Sequence, residues 1–369
     1  MPHTASSLRR CCATALLSLL FSTGAFAAKP VDKEVFSFAT VGDSREEPGA
    51  GLSRQDAIWL QNTRAWSRML REIQATHPKA LFFNGDMIMG YTTDKPTLNR
   101  QYAYWRGMVS HLMETGTYVL PVPGNHEVQE KFKDAQSGKT RKVARQSNED
   151  SWRDNMGDLI LDAERWPKIV GSHYAAFDPA NHPQVGEADR ISTDQTQLSY
   201  SFDVANSHFV VINTDPVGND GHPPTAWLAE DLARAKERGS RRFFVFGHKP
   251  AYTYFYKPGI DLEGFDNDPP AQQAFWRLIE QYGATYFCGH EHIFSLMQPQ
   301  KTQGGKAWQV MVGSGGSPFS AEKGDSKNPE DRTYAWAQVK VYQSGKVKLE
   351  IRGFDDSYGP TRSLRRLEL

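Results

Sequence analysis

Cysteine, charge of one sign, long apolar runs and internal repeats are all scarce in this chain, and each absence excludes something. Only Cys11, Cys12 and Cys288 occur among 369 residues, too few for a disulfide scaffold. The 43 Lys+Arg and 43 Asp+Glu cancel, so no basic surface for nucleic acid is advertised. Beyond the first thirty residues no hydrophobic run is long enough to span a membrane. No Gly-X-Y pattern, heptad or fixed period argues for a fibrous or repeat architecture. What remains, 39% hydrophobic and 23% charged residues, is globular composition with chain enough for a large core.

The first 27 residues read as a signal peptide. Arg9 and Arg10 form a positive start, Ala13 to Phe26 an apolar stretch, and Ala25-Phe26-Ala27 a small-x-small cleavage site. The stretch is short for a retained anchor, since a spanning helix needs about 20 apolar residues. Cleavage after Ala27 leaves Cys288 as the one cysteine and makes the mature chain two charges negative. An exported protein without a disulfide must rest on its core or on metal. The expectation is a secreted or periplasmic protein, with no membrane anchor after cleavage.

From about residue 34 apolar strands alternate with amphipathic helices. Strand-like runs at Val35–Val41, Ala80–Phe83, Tyr118–Val122, Arg242–Phe246, Thr285–Cys288 and Gln309–Val312 each stop at a glycine-bearing loop. Helical periodicity covers Ala57–Ile73, with Trp59, Trp66, Met69, Leu70 and Ile73 inward, then Leu98–Met113, Ala226–Arg238 and Ala271–Tyr282. Tyr200–Val204 with His208–Asn213, and Trp336–Tyr342 with Val347–Ile351, read as hairpins. Residues 130–150 are polar and weakly periodic, which reads as a mobile, solvated insertion; a nucleic-acid role for their basic residues is the weaker alternative.

Five strand ends carry the chemistry. They present Asp43, Asp86, Asn125, His248, His290 and His292, most directly after glycine. Two neighbouring cations need a carboxylate to bridge them, with imidazole and amide ligands to complete each shell. In open α/β sheets ligands bind at the carboxyl ends of strands. If His290-Glu291-His292 is extended, both imidazoles point to one face and can serve two adjacent metals.

The series Gly42-Asp43, Gly85-Asp86, Gly124-Asn125-His126-Glu127, Gly247-His248 and Gly289-His290-Glu291-His292 resembles the calcineurin-like metallophosphoesterase superfamily. Ser199–Asp203, Trp227-Leu228 and Phe246–Pro250 with Tyr252 are similar to its purple-acid-phosphatase-like branch. The likeness covers roughly residues 36–320. It implies an α/β fold, a two-sheet β-sandwich flanked by helices, as one catalytic domain over 34–369. It implies two metal ions, with Fe, Mn and Zn all compatible. Asp86 would bridge them, Asn125, His248 and His290 would complete one, and Asp43 with His292 would hold the other. A metal-bound hydroxide would attack phosphorus in line, and His126 would stabilise or protonate the leaving oxygen.

Two departures from the family pattern stand out. Arg45 occupies a position where many members carry a metal-binding histidine, which leaves the first metal to water, Glu46, Glu47 or Tyr91. Met89 stands where purple acid phosphatases have a metal-binding tyrosine, and where some relatives have an aspartate paired with the catalytic histidine. Arg45 reads either as a phosphate clamp or as a structural ion-pair partner of a nearby acid. Tyr252, Tyr254, Phe255 and Tyr256 either line a substrate cleft or pack ordinarily. Cys288 reads as a buried, inert thiol. The expected activity is hydrolysis of small-molecule phosphomonoesters, with no nucleic-acid partner. A phosphodiesterase or nucleotidase, and a non-catalytic metal- or phosphate-binding protein, are the alternatives. Oligomeric state is not encoded in these motifs.

Overall fold

The computed structural model describes Met1 and residues 31–48, 58–254, 264–321 and 329–369. The expected signal peptide, and Phe255 with Tyr256, lie outside the described residues. The chain divides into Met1–Asp32 and Lys33–Leu369, and the second unit carries the fold.

In chain order its strands are β1 (Glu34–Val41), β2 (Ala80–Asn84), β3 (Tyr118–Val122), β4 (Gln129–Lys133), β5 (Thr140–Ala144), β6 (Tyr200–Val204), β7 (Ser207–Val211), β8 (Arg242–Phe246), β9 (Thr285–Cys288), β10 (Phe294–Met297), β11 (Trp308–Val312), β12 (Thr333–Tyr342), β13 (Val347–Asp355) and β14 (Arg362–Glu368). The longer helices are α1 (Thr63–Gln74), α2 (Lys95–Glu114), α3 (Gln146–Met156), α4 (Thr225–Glu237) and α5 (Pro269–Tyr282). Two six-stranded sheets form, in the orders β14-β13-β12-β1-β2-β3 and β10-β11-β9-β8-β7-β6. Pairing is parallel across β1, β2 and β3, and across β7, β8, β9 and β11. Their carboxyl ends therefore emerge together within each sheet.

Side-chain alternation builds the layers. Phe38, Phe82, Leu120, Phe209, Phe244, Phe246 and Phe287 fill the space between the two sheets. Phe82 stacks on Phe246 with ring centroids 3.9 Å apart, and Phe38 presents its edge to Phe82 and Phe244. The alternate residues Leu81, Phe83 and Val119 face outward and are covered by Trp66, Met69, Leu70, Ile73 and Trp105 of α1 and α2. Leu228, Leu232, Phe275, Trp276 and Ile279 of α4 and α5 cover the other sheet over Val245, Tyr286 and Cys288. The result is helices, sheet, sheet, helices, as the α/β sandwich reading anticipates.

Some local expectations change. α1 begins at Thr63, where the Asn62 side chain accepts the Ala65 amide, a start signal that outweighs the apolar periodicity before it. Trp59 belongs to a separate helical stretch before the break at Leu60, where φ is 53°, and stacks on Tyr104 at 4.5 Å. The stretch expected as a solvated insertion is ordered: β4 and β5 form a hairpin and α3 starts at Gln146. β14, too charged for its strand period to stand out, extends the first sheet.

The outer end of the second sheet is held by a buried charge cluster. His208, fully buried on β7, reaches Asp203 from Nδ1 at 2.6 Å and Asp231 of α4 from Nε2 at 2.8 Å. Burial works against its charge, yet both carboxylates hold the imidazole above its ordinary value. Burial likewise opposes the charge of Asp203 and Asp231, which hydrogen bonds from His208, Arg238 and neighbours keep below theirs. The histidine's contribution is complete below about pH 6.5 and is lost as pH rises through its raised folded pKa; the carboxylates' is complete above about pH 4 and is lost as pH falls. Asp203→Asn is expected to cost about 1.5 kcal/mol near pH 5.5, with a smaller deficit once His208 loses its proton. Urea midpoints across pH 5–9 check this; a deficit independent of pH contradicts it.

Candidate metal centre

Five loops at strand carboxyl ends converge, three from the first sheet (after β1, β2 and β3) and two from the second (after β8 and β9). Close main-chain approach makes the meeting possible. Gly85 has φ 81°, and a Cβ there would stand 2.6 Å from His248 Nδ1. Asp43, Asp86 and His290 themselves sit at φ 62°, 54° and 72°, a left-handed region that is costly for residues with side chains. The His290–His292 segment is therefore bent rather than extended. Its two imidazoles still serve different clusters, but through this bend and not through strand alternation.

Two groups of ligand atoms form, each within 4.8 Å: Asp86, His248 and His290, and Asp43, Asp86 and His292. Asp86 belongs to both. Its Oδ1 lies 3.1 Å from His248 Nε2. His290 Nδ1 stands 3.1 Å from His248 Nε2 and 3.0 Å from Asn125 Oδ1. On the other side His292 Nε2 is 3.7 Å from Asp43 Oδ1.

The histidines are oriented by main-chain carbonyls. His248 Nδ1 donates to Asn84 O at 2.7 Å, His292 Nδ1 to Pro318 O at 2.6 Å and His126 Nδ1 to Met89 O at 2.5 Å. Each is left with Nε2 facing the centre, the arrangement a metal-binding imidazole requires. Asn125 is fixed too: its Nδ2 donates to the Tyr91 hydroxyl and its Oδ1 faces the cluster. Tyr91 thus meets the Asn125 side of the centre, with its ring 3.7 Å from that of His126.

Burial and mutual attraction set the charges in this cluster. Burial pushes the Asp43 carboxyl well up, whereas at Asp86 the attraction of His126 and His248 overcomes burial and holds the group well below its ordinary value. Against its own burial, His248 is drawn up to about 10 by these carboxylates. Burial and the Arg45 charge push His292 down to about 3, so it offers a neutral nitrogen. Two carboxylates, three imidazoles and an amide oxygen, already turned toward common points, fit Fe, Mn or Zn, with His248 giving up its proton to a bound ion.

Arg45 is 5% exposed and faces the same space. Its Nε is 3.4 Å from Asp86 Oδ2, its second guanidinium nitrogen 3.3 Å from His292 Nε2, and its first pairs with Glu47 at 2.6 Å. The ion-pair reading of this residue is thus seen in its contacts with Glu47 and Asp86, while its guanidinium also lines the cleft. Glu47 is engaged there, and Glu46 accepts the Glu47 amide.

Glu127 closes the Gly124–Glu127 motif from inside the fold. Fully buried, it accepts the amides of Asp86, Met87, Ile88 and Gly124 at 2.8 to 3.1 Å, tying the loop after β2 to the loop after β3. Burial, with Asp86 alongside, pushes its carboxyl up to about 7. A glutamate three residues after the glycine that opens a helical turn is the capping-box spacing, a signal present in the sequence. Of the proposed cleft aromatics, Tyr252 packs on Trp276 in the core and the Tyr254 amide donates to Glu291. Cys288 is fully buried, and burial raises its thiol pKa well above the ordinary value.

The mouth of the centre is a cavity of about 200 Å³ lined by Arg45, Asp86, Asn125, His126, His290 and His292, together with Glu47, Tyr91, Lys131 and Lys142. Among the described residues, no helix is long and apolar enough to cross a membrane.

No protein of curated function matches the chain. A purple acid phosphatase from yellow lupin seeds (Lupinus luteus) is similar in structure, with TM-score 0.54 and 14% identity over 90% of this chain, which spans about half (53%) of the lupin protein. A dimetal phosphatase from Danio rerio is similar at TM-score 0.52 and 14% identity, over 91% of this chain and 99% of that one. The family profile for calcineurin-like phosphoesterases matches residues 41–294, from the end of β1 into β10 and so across all five ligand-bearing loops, and the chain belongs to that family.

Proposed function

We propose that this protein hydrolyses phosphomonoesters at a two-cation centre. The observation that carries the reading is Asp86, a single carboxylate common to two adjacent groups of metal-binding atoms. Asn125, His248 and His290 would hold one ion, and Asp43 and His292 the other. When bound, the ions supply Lewis acidity toward phosphoryl oxygens and lower the pKa of water.

The chain's own residues supply position and proton handling. Glu127 and the carbonyls behind the imidazoles fix the ligand atoms before substrate arrives, so little reorganisation accompanies the reaction. His126 presents Nε2 to the cleft, 3.7 Å from Asp86 Oδ2, as the partner of the leaving oxygen. Its Nδ1 rests on the main-chain carbonyl of Met89, the residue standing where some relatives carry an aspartate. Burial pushes this imidazole well below its ordinary value, and a carbonyl offsets that less than a carboxylate would. Arg45 directs a permanent charge at a non-bridging phosphoryl oxygen.

Metal analysis of the purified protein, with a chromogenic phosphomonoester and the matching diester, tests the reading. Two ions per chain and faster monoester turnover are expected. Diester preference would favour the phosphodiesterase alternative, and metal without turnover the binding protein. We further infer export, from the tripartite start of the chain. Protein from its native host is expected to begin near Ala28, and intact Met1 by N-terminal sequencing would refute that.

A further inference from the structure

The β4–β5 hairpin brings two lysines to the mouth of the centre. Lys131 and Lys142 are directly paired across the antiparallel ladder, so their side chains leave the same face of the hairpin. Both ammonium groups lie over the Tyr91 ring, 5.7 and 5.5 Å from its centroid, and both line the cavity that holds Arg45, Asn125 and His126.

The hairpin is tied to the centre rather than hung over it. The Lys131 amide donates to Tyr91 O at 3.1 Å, and the Ala144 amide to Asp220 Oδ2 at 2.8 Å. Arg145 pairs with Glu130 at 2.9 Å across its base. Tyr91 in turn hydrogen-bonds the Asn125 side chain. One tyrosine therefore spans the distance from a candidate metal ligand to the two ammonium groups.

We propose that Lys131 and Lys142 form a second anion subsite, so that the preferred substrate carries another phosphoryl group beyond the one cleaved. The class is a diphosphate or bisphosphate rather than a simple monoester. This inference rests on the phosphoesterase reading of the neighbouring centre. In that reading the scissile phosphoryl group meets Arg45 and the cations, so the lysines, over Tyr91 in the same cavity, act on a second phosphoryl group.

Calorimetric titration of the metal-loaded protein with inorganic orthophosphate and pyrophosphate tests the subsite, with metal content measured before and after to detect chelation. Wild-type protein is expected to prefer pyrophosphate. In a Lys131→Gln/Lys142→Gln double variant that preference should shrink about tenfold, the combined size of two exposed charge contacts, with metal content unchanged. Both side chains are exposed, so the substitutions leave the core untouched. No pyrophosphate preference in wild type, or the same preference in the variant, overturns the proposal. So does an equal loss of both ligands, which would place the lysines on the scissile phosphate. If the chromogenic monoester is not hydrolysed yet the lysine-dependent preference stands, the phosphoesterase reading fails while the anion subsite survives.

Discussion

Asp86→Ala is expected to abolish hydrolysis and to empty the centre of metal. Asp86 is the residue common to both ligand groups, so its loss removes an anionic ligand from two positions at once. It is 1% exposed, and a water entering in its place would bring no negative charge. Two cations held side by side repel one another, and a shared carboxylate is what makes their proximity tolerable. Without it turnover should fall by more than about 10³-fold, beyond the usual loss when one electrostatic stabiliser of a transition state goes. Asp86→Asn separates charge from shape, because it can keep the contact to the His126 amide, 3.2 Å from Oδ1, while removing the negative charge. Metal content by mass spectrometry and kcat on a chromogenic monoester are the readouts, with a thermal melt to establish folding. Asn125→Ala should act in the same direction on the ion it is proposed to share with His248 and His290. Near-native turnover with two metals in Asp86→Ala would show that the centre has been misplaced.

The layers and the convergence of loops were legible because they follow from short-range pattern. Leu81-Phe82-Phe83 alternates between the inter-sheet core and the helix-facing side, and each parallel strand must deliver its carboxyl end to the same edge. Glycine before a polar residue marks those edges. What resisted reading depended on contacts between distant segments. Nothing local to Met89 says that its carbonyl, rather than its side chain, orients His126. Nothing near Tyr91 says that its hydroxyl meets Asn125, 34 residues on. The hairpin at 129–144 was hidden because its strands are charged and mostly exposed, so no alternation of apolar residues announces them. His290 was expected in an extended segment because hydrophobic pattern carries no information on a single left-handed residue.

The Arg45 substitutions bear on the first cation directly. A guanidinium has no acceptor lone pair and cannot ligate a metal, so Arg45 cannot stand in for the histidine many relatives carry there. Its charge nevertheless lies within 3.4 Å of Asp86 and 3.3 Å of His292, two of the three groups that would hold that ion. Such a charge opposes the cation unless anions offset it. Glu47, half exposed, supplies one at 2.6 Å; a phosphoryl group in the cleft supplies the other during turnover. The contact to phosphoryl oxygen should strengthen as charge builds toward the transition state, so Arg45→Ala is expected to lower kcat by about 10²–10³-fold with metal content nearly unchanged. Arg45→His replaces the repelling charge with a nitrogen ligand. It should raise the affinity for the first ion, measured by metal titration, yet fail to restore full turnover. Glu47→Gln separates the two roles, since it removes the ion pair while leaving the guanidinium in the cleft. Its effect on kcat should be far smaller than that of Arg45→Ala. Should Arg45→Ala match wild-type kinetics, Arg45 is a structural partner of Glu47, and phosphate must be held by the cations and His126 alone.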